Sequence, residues 1–109
     1  MKDSAMKRNA FIMYLKPGNE AEYKKRHDEI WPELEDILRS AGISNYSIYL
    51  DRNTNMLFAF QMLTDDATDN ELPANSVVQK WWDYMKDLME TNPDNSPVCD
   101  PLIEVFHMD

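Results

Sequence analysis

The sequence predicts an α+β fold of the ferredoxin-like type, a four-stranded antiparallel sheet with two helices on one face. Two observations support this prediction. The apolar pattern changes along the chain in the order β-α-β-β-α-β. Each helical segment has one apolar stripe, so both helices can pack on the same side of a sheet. At 109 residues the chain suits a single domain.

The first half of the chain predicts a strand followed by a helix. Residues 10–16 are rich in apolar and aromatic side chains and end at a Pro-Gly pair, which is typical of a strand. The apolar residues then recur with a period of about 3.6, which predicts a helix that ends near Ala41 and Gly42. Pro32 lies inside this helix and has no N–H to donate. We therefore expect a kink or a restart there, with Asp28 available as a cap.

A hairpin and a polar connector follow. Residues 46–51 and 56–63 are strand-like runs around a short turn, which predicts an antiparallel pair. Residues 64–75 are acidic and have no apolar period, so we expect an exposed connector with room for one helical turn.

The last predicted elements are a helix and a strand. Ser76, followed three residues later by Gln79, is a capping-box signature for a helix that closes near Thr91. Residues 92–101 contain several prolines and predict a loop, whereas residues 102–108 predict the final strand.

Both faces of the predicted sheet are apolar. In the third strand the two alternating sets are Met56, Phe58, Phe60 and Met62 on one side and Leu57, Ala59 and Leu63 on the other. Two helices cover only one face, and a second copy of the chain is the simplest cover for the other. We therefore expect a homodimer whose sheets pack face to face.

Charge and composition argue against several classes of partner. Twenty acidic and eleven basic residues give a net charge of -9, which disfavours nucleic acid and anionic lipid. Apolar runs such as residues 56–60 are much shorter than the ~18 residues of a membrane span. A single cysteine, Cys99, excludes an internal disulfide. With no signal-peptide pattern, these features predict a cytoplasmic protein.

Common catalytic motifs are absent from the sequence. The two histidines, His27 and His107, have no metal-ligand spacing, so we expect no metal site. Cys99 lies in a polar loop without a nearby histidine and is interpreted as an unreactive thiol. Two glycines are too few for a nucleotide-binding loop. We therefore expect no bound nucleotide.

His27 is the main candidate for chemistry because it lies on the apolar stripe of the first helix. Tyr23 lies one turn earlier, so the phenol and the imidazole can face a common space. Trp81 and Trp82 point about 100° apart, so one can fill the core while the other lines a pocket or a dimer seam. Indoles and phenols suit a sugar. A structural Tyr-His hydrogen bond and ordinary packing of both tryptophans remain open alternatives.

Four motifs in this order, EYKKRHDEIWPEL, NYSIYLD, QKWWDYM and NPDNSPV, resemble the L-rhamnose mutarotase family. The resemblance extends from about Met6 to the end of the chain, which implies a single domain over residues 6–109 after a disordered extension of residues 1–5. It implies a cytoplasmic, dimeric α+β enzyme that interconverts the α and β anomers of L-rhamnose without metal or cofactor. It also implies that His27 is the proton donor. The sugar-binding residues that it implies are Tyr23, Tyr46, Trp81 and Trp82.

Two other functions stay open at this point. A cofactor-free monooxygenase of the related dimeric α+β barrels would also place a histidine and aromatic rings near a sheet. A non-catalytic sugar-binding module would bind without changing anomer exchange, and fold alone does not choose. The topology also places the start of the second strand, with Tyr46, at the end of the sheet opposite the start of the first helix. The sequence therefore leaves open whether Tyr46 reaches His27.

Overall fold

The computed structural model describes residues 6–109, and the predicted extension over residues 1–5 lies outside them. The elements are β1 (Met6–Tyr14), α1 (Glu20–Asp28), α2 (Pro32–Ser40), β2 (Ile43–Asp51), β3 (Met56–Thr64), α3 (Ser76–Met85) and β4 (Asp100–Pro101). Two 3-10 segments, Asp69–Ala74 and Lys86–Leu88, precede and follow α3. The strands form one antiparallel sheet in the order β2-β3-β1-β4. The predicted ferredoxin-like α+β class is confirmed.

Strand β1 begins four residues earlier than predicted. It pairs with β3 over its whole length, from Met6 opposite Thr64 to Tyr14 opposite Met56. The polar residues at its start can join the strand because the backbone of β3 supplies hydrogen-bond partners whatever the side chains are. The predicted hairpin of β2 and β3 is confirmed.

The predicted helix restarts at Pro32. Helix α1 ends at Asp28, and α2 begins with Pro32, where the missing N–H leaves no intrahelical bond unmade. Asp28 does not cap α2, contrary to the prediction, because its carboxylate instead accepts a hydrogen bond from Lys24 Nζ at 3.0 Å. After α2 the chain turns at Gly42, which has φ +91°, and a Cβ there would clash with Thr64.

The cap of α3 lies one residue earlier than predicted. Asn75 Oδ1 accepts hydrogen bonds from the N–H groups of Val77 and Val78, at 2.8 and 3.2 Å. Ser76 is the first helical residue, and the side chain of Gln79 donates to the carbonyl of Pro73 rather than closing a capping box. The helix also ends earlier than predicted, and a 3-10 turn follows it.

The predicted strand over residues 102–108 is wrong. Strand β4 contains only Asp100 and Pro101, although Leu102 N–H still donates to the carbonyl of Ala10 at 2.9 Å. Val105 beyond it is 92% exposed and Phe106 is 77% exposed. The apolar alternation of this tail finds no surface to pack on within the described residues, and β-propensity alone does not hold a strand.

The two faces of the sheet have different surroundings. The inner face carries Met13, Leu57 and Ala59, which are only 4%, 1% and 2% exposed because the three helices pack over them. The outer face carries Ala10, Ile12 and Tyr14 of β1 and Phe58, Phe60 and Met62 of β3. No helix of the described residues covers the outer face, where Phe58 remains 37% exposed. None of the helices in residues 6–109 is long and apolar enough to cross a membrane.

Candidate active site

A cavity of about 1080 Å³ lies between the inner face and the helices and opens to solvent. It is large enough for a hexose, since ligand pockets commonly enclose about 300–1,000 Å³. All five residues that the sequence singled out line it, namely Tyr23, His27, Tyr46, Trp81 and Trp82. The topology therefore brings the predicted site residues to one place, while their roles stay predictions.

The hydrogen bond of His27 determines which ring nitrogen is available. Nδ1 lies 3.1 Å from the carbonyl oxygen of Tyr23, one helical turn earlier. A carbonyl only accepts, so Nδ1 carries the hydrogen and the neutral ring keeps its lone pair on Nε2. Nε2 has no protein partner in residues 6–109. Every fully buried side-chain nitrogen in those residues has a hydrogen-bond partner, so Nε2 is not fully buried and contacts open space. This nitrogen can therefore exchange a proton with a bound molecule.

Aromatic rings surround the imidazole. The ring centroid of Tyr23 lies 4.4 Å from that of His27, and the ring of Trp81 meets it edge-on at 5.5 Å. Burial among these groups lowers the pKa of His27, although the Tyr23 carbonyl and Asp28 act in the opposite direction. The imidazole is therefore neutral at pH 7 and can act as a base.

Tyr46 reaches the same space as Tyr23. Tyr23 is 8% exposed, and its pKa is raised by burial first and by the nearby Tyr46 and Cys99 second. Tyr46 is 39% exposed because the cavity beside it is open, yet the protein around its phenol also raises its pKa. Both phenols remain protonated at neutral pH and can donate hydrogen bonds to hydroxyl oxygens. Tyr46 and His27 thus line the same cavity.

A β-bulge sets the direction of Tyr46. The register of β2 on β3 shifts between Ser44 and Ser47, so two residues of β2 lie opposite one residue of β3. Asn45 takes the extra position with φ +49°, which asparagine tolerates better than most residues. The bulge lets both Ile43 and Tyr46 face inward, although strict alternation would separate them.

The tryptophan pair forms one wall of the cavity. Trp81 is 9% exposed and belongs to the core, whereas Trp82 is half-buried, and both line the cavity. Trp31 packs edge-on against Trp81 at 5.1 Å and stacks on Tyr84 at 5.7 Å. The indole of Trp81 therefore packs against the rings of both Trp31 and Tyr84.

The side chain of Arg26, on helix α1, is only 13% exposed. Its guanidinium donates to Glu22 at 2.8 Å, to Asp87 at 2.9 Å and to the carbonyl of Tyr84 at 2.6 Å. The bonds to Asp87 and Glu22 raise the pKa of Arg26, and the bonds to Asp87 and Tyr84 join α1 to the end of α3. The sequence signal for this role is weak, since Glu22 at i−4 is common on exposed helices.

Two more cavity residues were not assigned a site role from the sequence. Gln61 interrupts the apolar run of β3 and is 7% exposed. Cys99 lies near the end of the proline-rich loop, and partial burial raises the pKa of its thiol. Within residues 6–109 no group of three or more His, Cys, Asp or Glu side chains is arranged to hold a metal ion. A second hollow beside α2 has neither a histidine nor an aromatic ring among its lining residues.

Comparison with known proteins identifies the family. The sequence model of the L-rhamnose mutarotase family matches residues 8–108. The chain belongs to the L-rhamnose mutarotase family. A relative with that name from Bacteroides thetaiotaomicron is 62% identical, covering 95% of this chain and 100% of its own. Another from Listeria monocytogenes is 50% identical, covering 94% and 99%.

A solved structure agrees with this assignment. The crystal structure of L-rhamnose mutarotase from Formosa agariphila has a TM-score of 0.88 and 51% identity, and the match covers 94% of this chain and 99% of that one. The predicted family, fold class and enzyme class, an isomerase, are therefore confirmed. These comparisons favour neither the monooxygenase nor the non-catalytic binding module.

Proposed function

We propose that this chain interconverts the α and β anomers of L-rhamnose and that His27 transfers the proton. The observation that carries the proposal is the free Nε2 of a neutral imidazole, which faces a sugar-sized cavity. The names of the family and its relatives supply the sugar.

The reaction needs one proton to move between two oxygens of the same sugar. Nε2 of His27 takes the proton from the anomeric hydroxyl, and the bond between C1 and the ring oxygen breaks with its electron pair on that oxygen. The imidazolium then gives the proton to the ring oxygen, which leaves an open-chain aldehyde. Rotation about the C1–C2 bond and the reverse steps form the other anomer. Because the proton returns at each cycle, one residue of suitable pKa is sufficient.

The phenols and indoles would hold the sugar beside His27. Tyr23 and Tyr46 have protonated hydroxyl groups at the cavity, which suit hydrogen bonds to sugar hydroxyls. Trp81 and Trp82 offer apolar surfaces, which suit the C–H face of the ring and the 6-methyl group. Binding in this way is consistent with a deoxy sugar.

Replacement of His27 tests the proposal. His27→Asn keeps an N–H at the position of Nδ1 for the Tyr23 carbonyl but has no group that exchanges a proton near neutral pH, and His27→Ala removes the ring. We expect both variants to lose about 10²–10⁴-fold of the enzymatic anomer exchange, measured by saturation-transfer NMR. Lys25→Ala, at an exposed position of the same helix, is the matched control. Folded His27 variants that exchange anomers at the rate of the control would refute the role of His27.

We also propose that the chain forms a homodimer through its outer face. The proposal is supported by the apolar side chains of that face and by the tail after β4, where Ile103 and Val105 are 86% and 92% exposed. Contiguous apolar surface of this kind marks an interaction site, and a two-fold dimer would cover the same surface on both copies.

Sedimentation of the purified chain tests the dimer. The wild type should sediment as a dimer, and Phe58→Asp should sediment as a monomer, because the dimer would bury an unpaired carboxylate. Asn53→Asp adds the same charge at the exposed hairpin turn and should remain dimeric. A monomeric wild type, or a dimeric Phe58→Asp variant, would contradict the proposed interface.

We further propose a cytoplasmic location. It is supported by the lone Cys99, which a reducing compartment keeps as a thiol. Fractionation of the producing cells with detection by antibody should find the chain with cytoplasmic enzymes, and recovery outside the cytoplasm would contradict the proposal.

A further inference from the structure

Gln61 is the one buried polar residue on the inner face, as far as residues 6–109 show. Its neighbours in β3 on that face are Ala59 and Leu63, which are both buried and apolar. Burying an amide among apolar groups is unfavourable unless its polar atoms are bonded. Each polar atom of the Gln61 amide should therefore have a hydrogen-bond partner or face open space.

One end of the Gln61 amide is held and the other is free. Nε2 donates to Asn9 Oδ1 at 2.9 Å, across the directly paired strand β1. Oε1 has no protein partner among the described residues. Every fully buried side-chain oxygen in those residues has a hydrogen-bond partner, so Oε1 is not fully buried. Oε1 therefore contacts open space, and the space that Gln61 lines is the cavity. The result is an acceptor whose direction Asn9 fixes.

The free oxygen lies on the wall opposite the imidazole. Gln61 belongs to the sheet, directly across from the bulge that carries Tyr46, whereas His27 belongs to helix α1 on the other side of the cavity. A sugar whose anomeric carbon lies at His27 would present its other hydroxyl groups toward the sheet. A hydroxyl donates readily to an amide oxygen.

We propose that Oε1 of Gln61 accepts a hydrogen bond from one ring hydroxyl of the sugar, other than the anomeric one. This inference rests on the proposed function and extends it to sugar selection. Gln61 is then a specificity-determining binding residue, and Asn9 is a positioning residue that orients the amide. An aldose that lacks this hydroxyl, or holds it on the other side of the ring, would leave a buried acceptor unpaired.

Gln61→Met tests the role of the amide, since methionine has similar length and no strong acceptor. We expect KM to rise roughly tenfold with kcat nearly unchanged, because the bond forms equally in the ground state and the transition state. Gln79→Met is the matched control, since Gln79 lies exposed on α3 and does not line the cavity. Its KM should equal that of the wild type.

Sugars that lack single hydroxyls identify the partner of Gln61. L-rhamnose and its 2-, 3- and 4-deoxy analogues are measured with the wild type and with Gln61→Met by saturation-transfer NMR. For one analogue the variant should bind no more weakly than the wild type, because both sides of the contact are already missing. Should Gln61→Met fail to fold, Asn9→Ser releases the amide and should show the same pattern with a smaller rise in KM.

The outcomes separate this inference from the proposed function. A wild type that does not accelerate anomer exchange would refute the function itself. An active wild type whose folded Gln61→Met variant keeps its KM within about twofold, or loses the same factor for every analogue, would overturn only the role of Gln61.

Discussion

The two faces of the sheet have nearly the same apolar content but different surroundings. Leu57 and Phe58 are neighbours in β3, yet Leu57 is 1% exposed and Phe58 is 37% exposed. The inner face is closed by helices and encloses the cavity, while the outer face has no cover within residues 6–109. The comparison teaches that alternation determines which residues share a face, whereas the rest of the molecule determines what that face does.

The largest expected effect is on the free energy of unfolding, when Leu57 and Phe58 are each replaced by alanine. Leu57→Ala removes fully packed groups from the core and should lower the free energy of unfolding by about 2–5 kcal/mol at every protein concentration. Phe58→Ala should instead lower the apparent stability mainly by weakening the dimer, so its effect should depend on protein concentration. Urea unfolding at several concentrations measures both variants. If Phe58→Ala behaved like Leu57→Ala at all concentrations, the outer face would be part of the core of one chain.

Much of the fold could be predicted because it depends on local patterns. The hairpin, the restart at Pro32 and the turn at Gly42 follow from turn residues and periodicity. The tail after β4 could not be predicted correctly, since its apolar alternation is strand-like but Ile103, Val105 and Phe106 remain exposed in the structure. A pattern of this kind shows that a segment needs a partner, without showing which molecule provides it.

The candidate site was predictable in its residue types and less so in its geometry. Spacing placed Tyr23 and His27 on one helix face, whereas their convergence with Tyr46 required the bulge at Asn45. Gln61 was overlooked because it lies in an otherwise apolar run. Its position in register with Leu57 and Ala59 was the available signal, since a polar residue on a buried face needs a reason.

The second effect concerns the inner face and its buried imidazole. Burial lowers the pKa of His27 below its ordinary value near 6.5, so kcat/KM should be constant at neutral pH. It should fall about tenfold per pH unit only below that lowered pKa, as the base becomes protonated. Saturation-transfer NMR from pH 4 to 8, corrected for spontaneous mutarotation, gives this profile. A midpoint above about 6.5 would show that another group controls the rate.

The same group should affect stability with a defined sign. Because the pKa of His27 is lower in the folded chain, the unfolded chain binds a proton first as the pH falls. The free energy of unfolding should therefore decrease below about pH 6.5 until the folded-state pKa is passed. His27→Gln should remove this part of the pH dependence, as measured by urea unfolding. An identical slope in that variant would assign the effect to other groups.

The smallest effect concerns the start of α3, which carries Trp81 and so forms part of the cover of the inner face. Asn75 caps the helix in the structure, whereas the sequence favoured Ser76, so the adjacent pair allows a direct comparison. Asn75→Ala should cost about 1 kcal/mol in the free energy of unfolding, because two N–H groups lose their acceptor. Ser76→Ala should change it by less than about 0.5 kcal/mol, since this side chain makes no capping bond. Thermal unfolding of both variants measures the difference. A larger loss of stability for Ser76→Ala would instead support the capping box that the sequence predicted. Because the cap holds the helix and not the sugar, we expect anomer exchange at 25 °C to be retained in both variants.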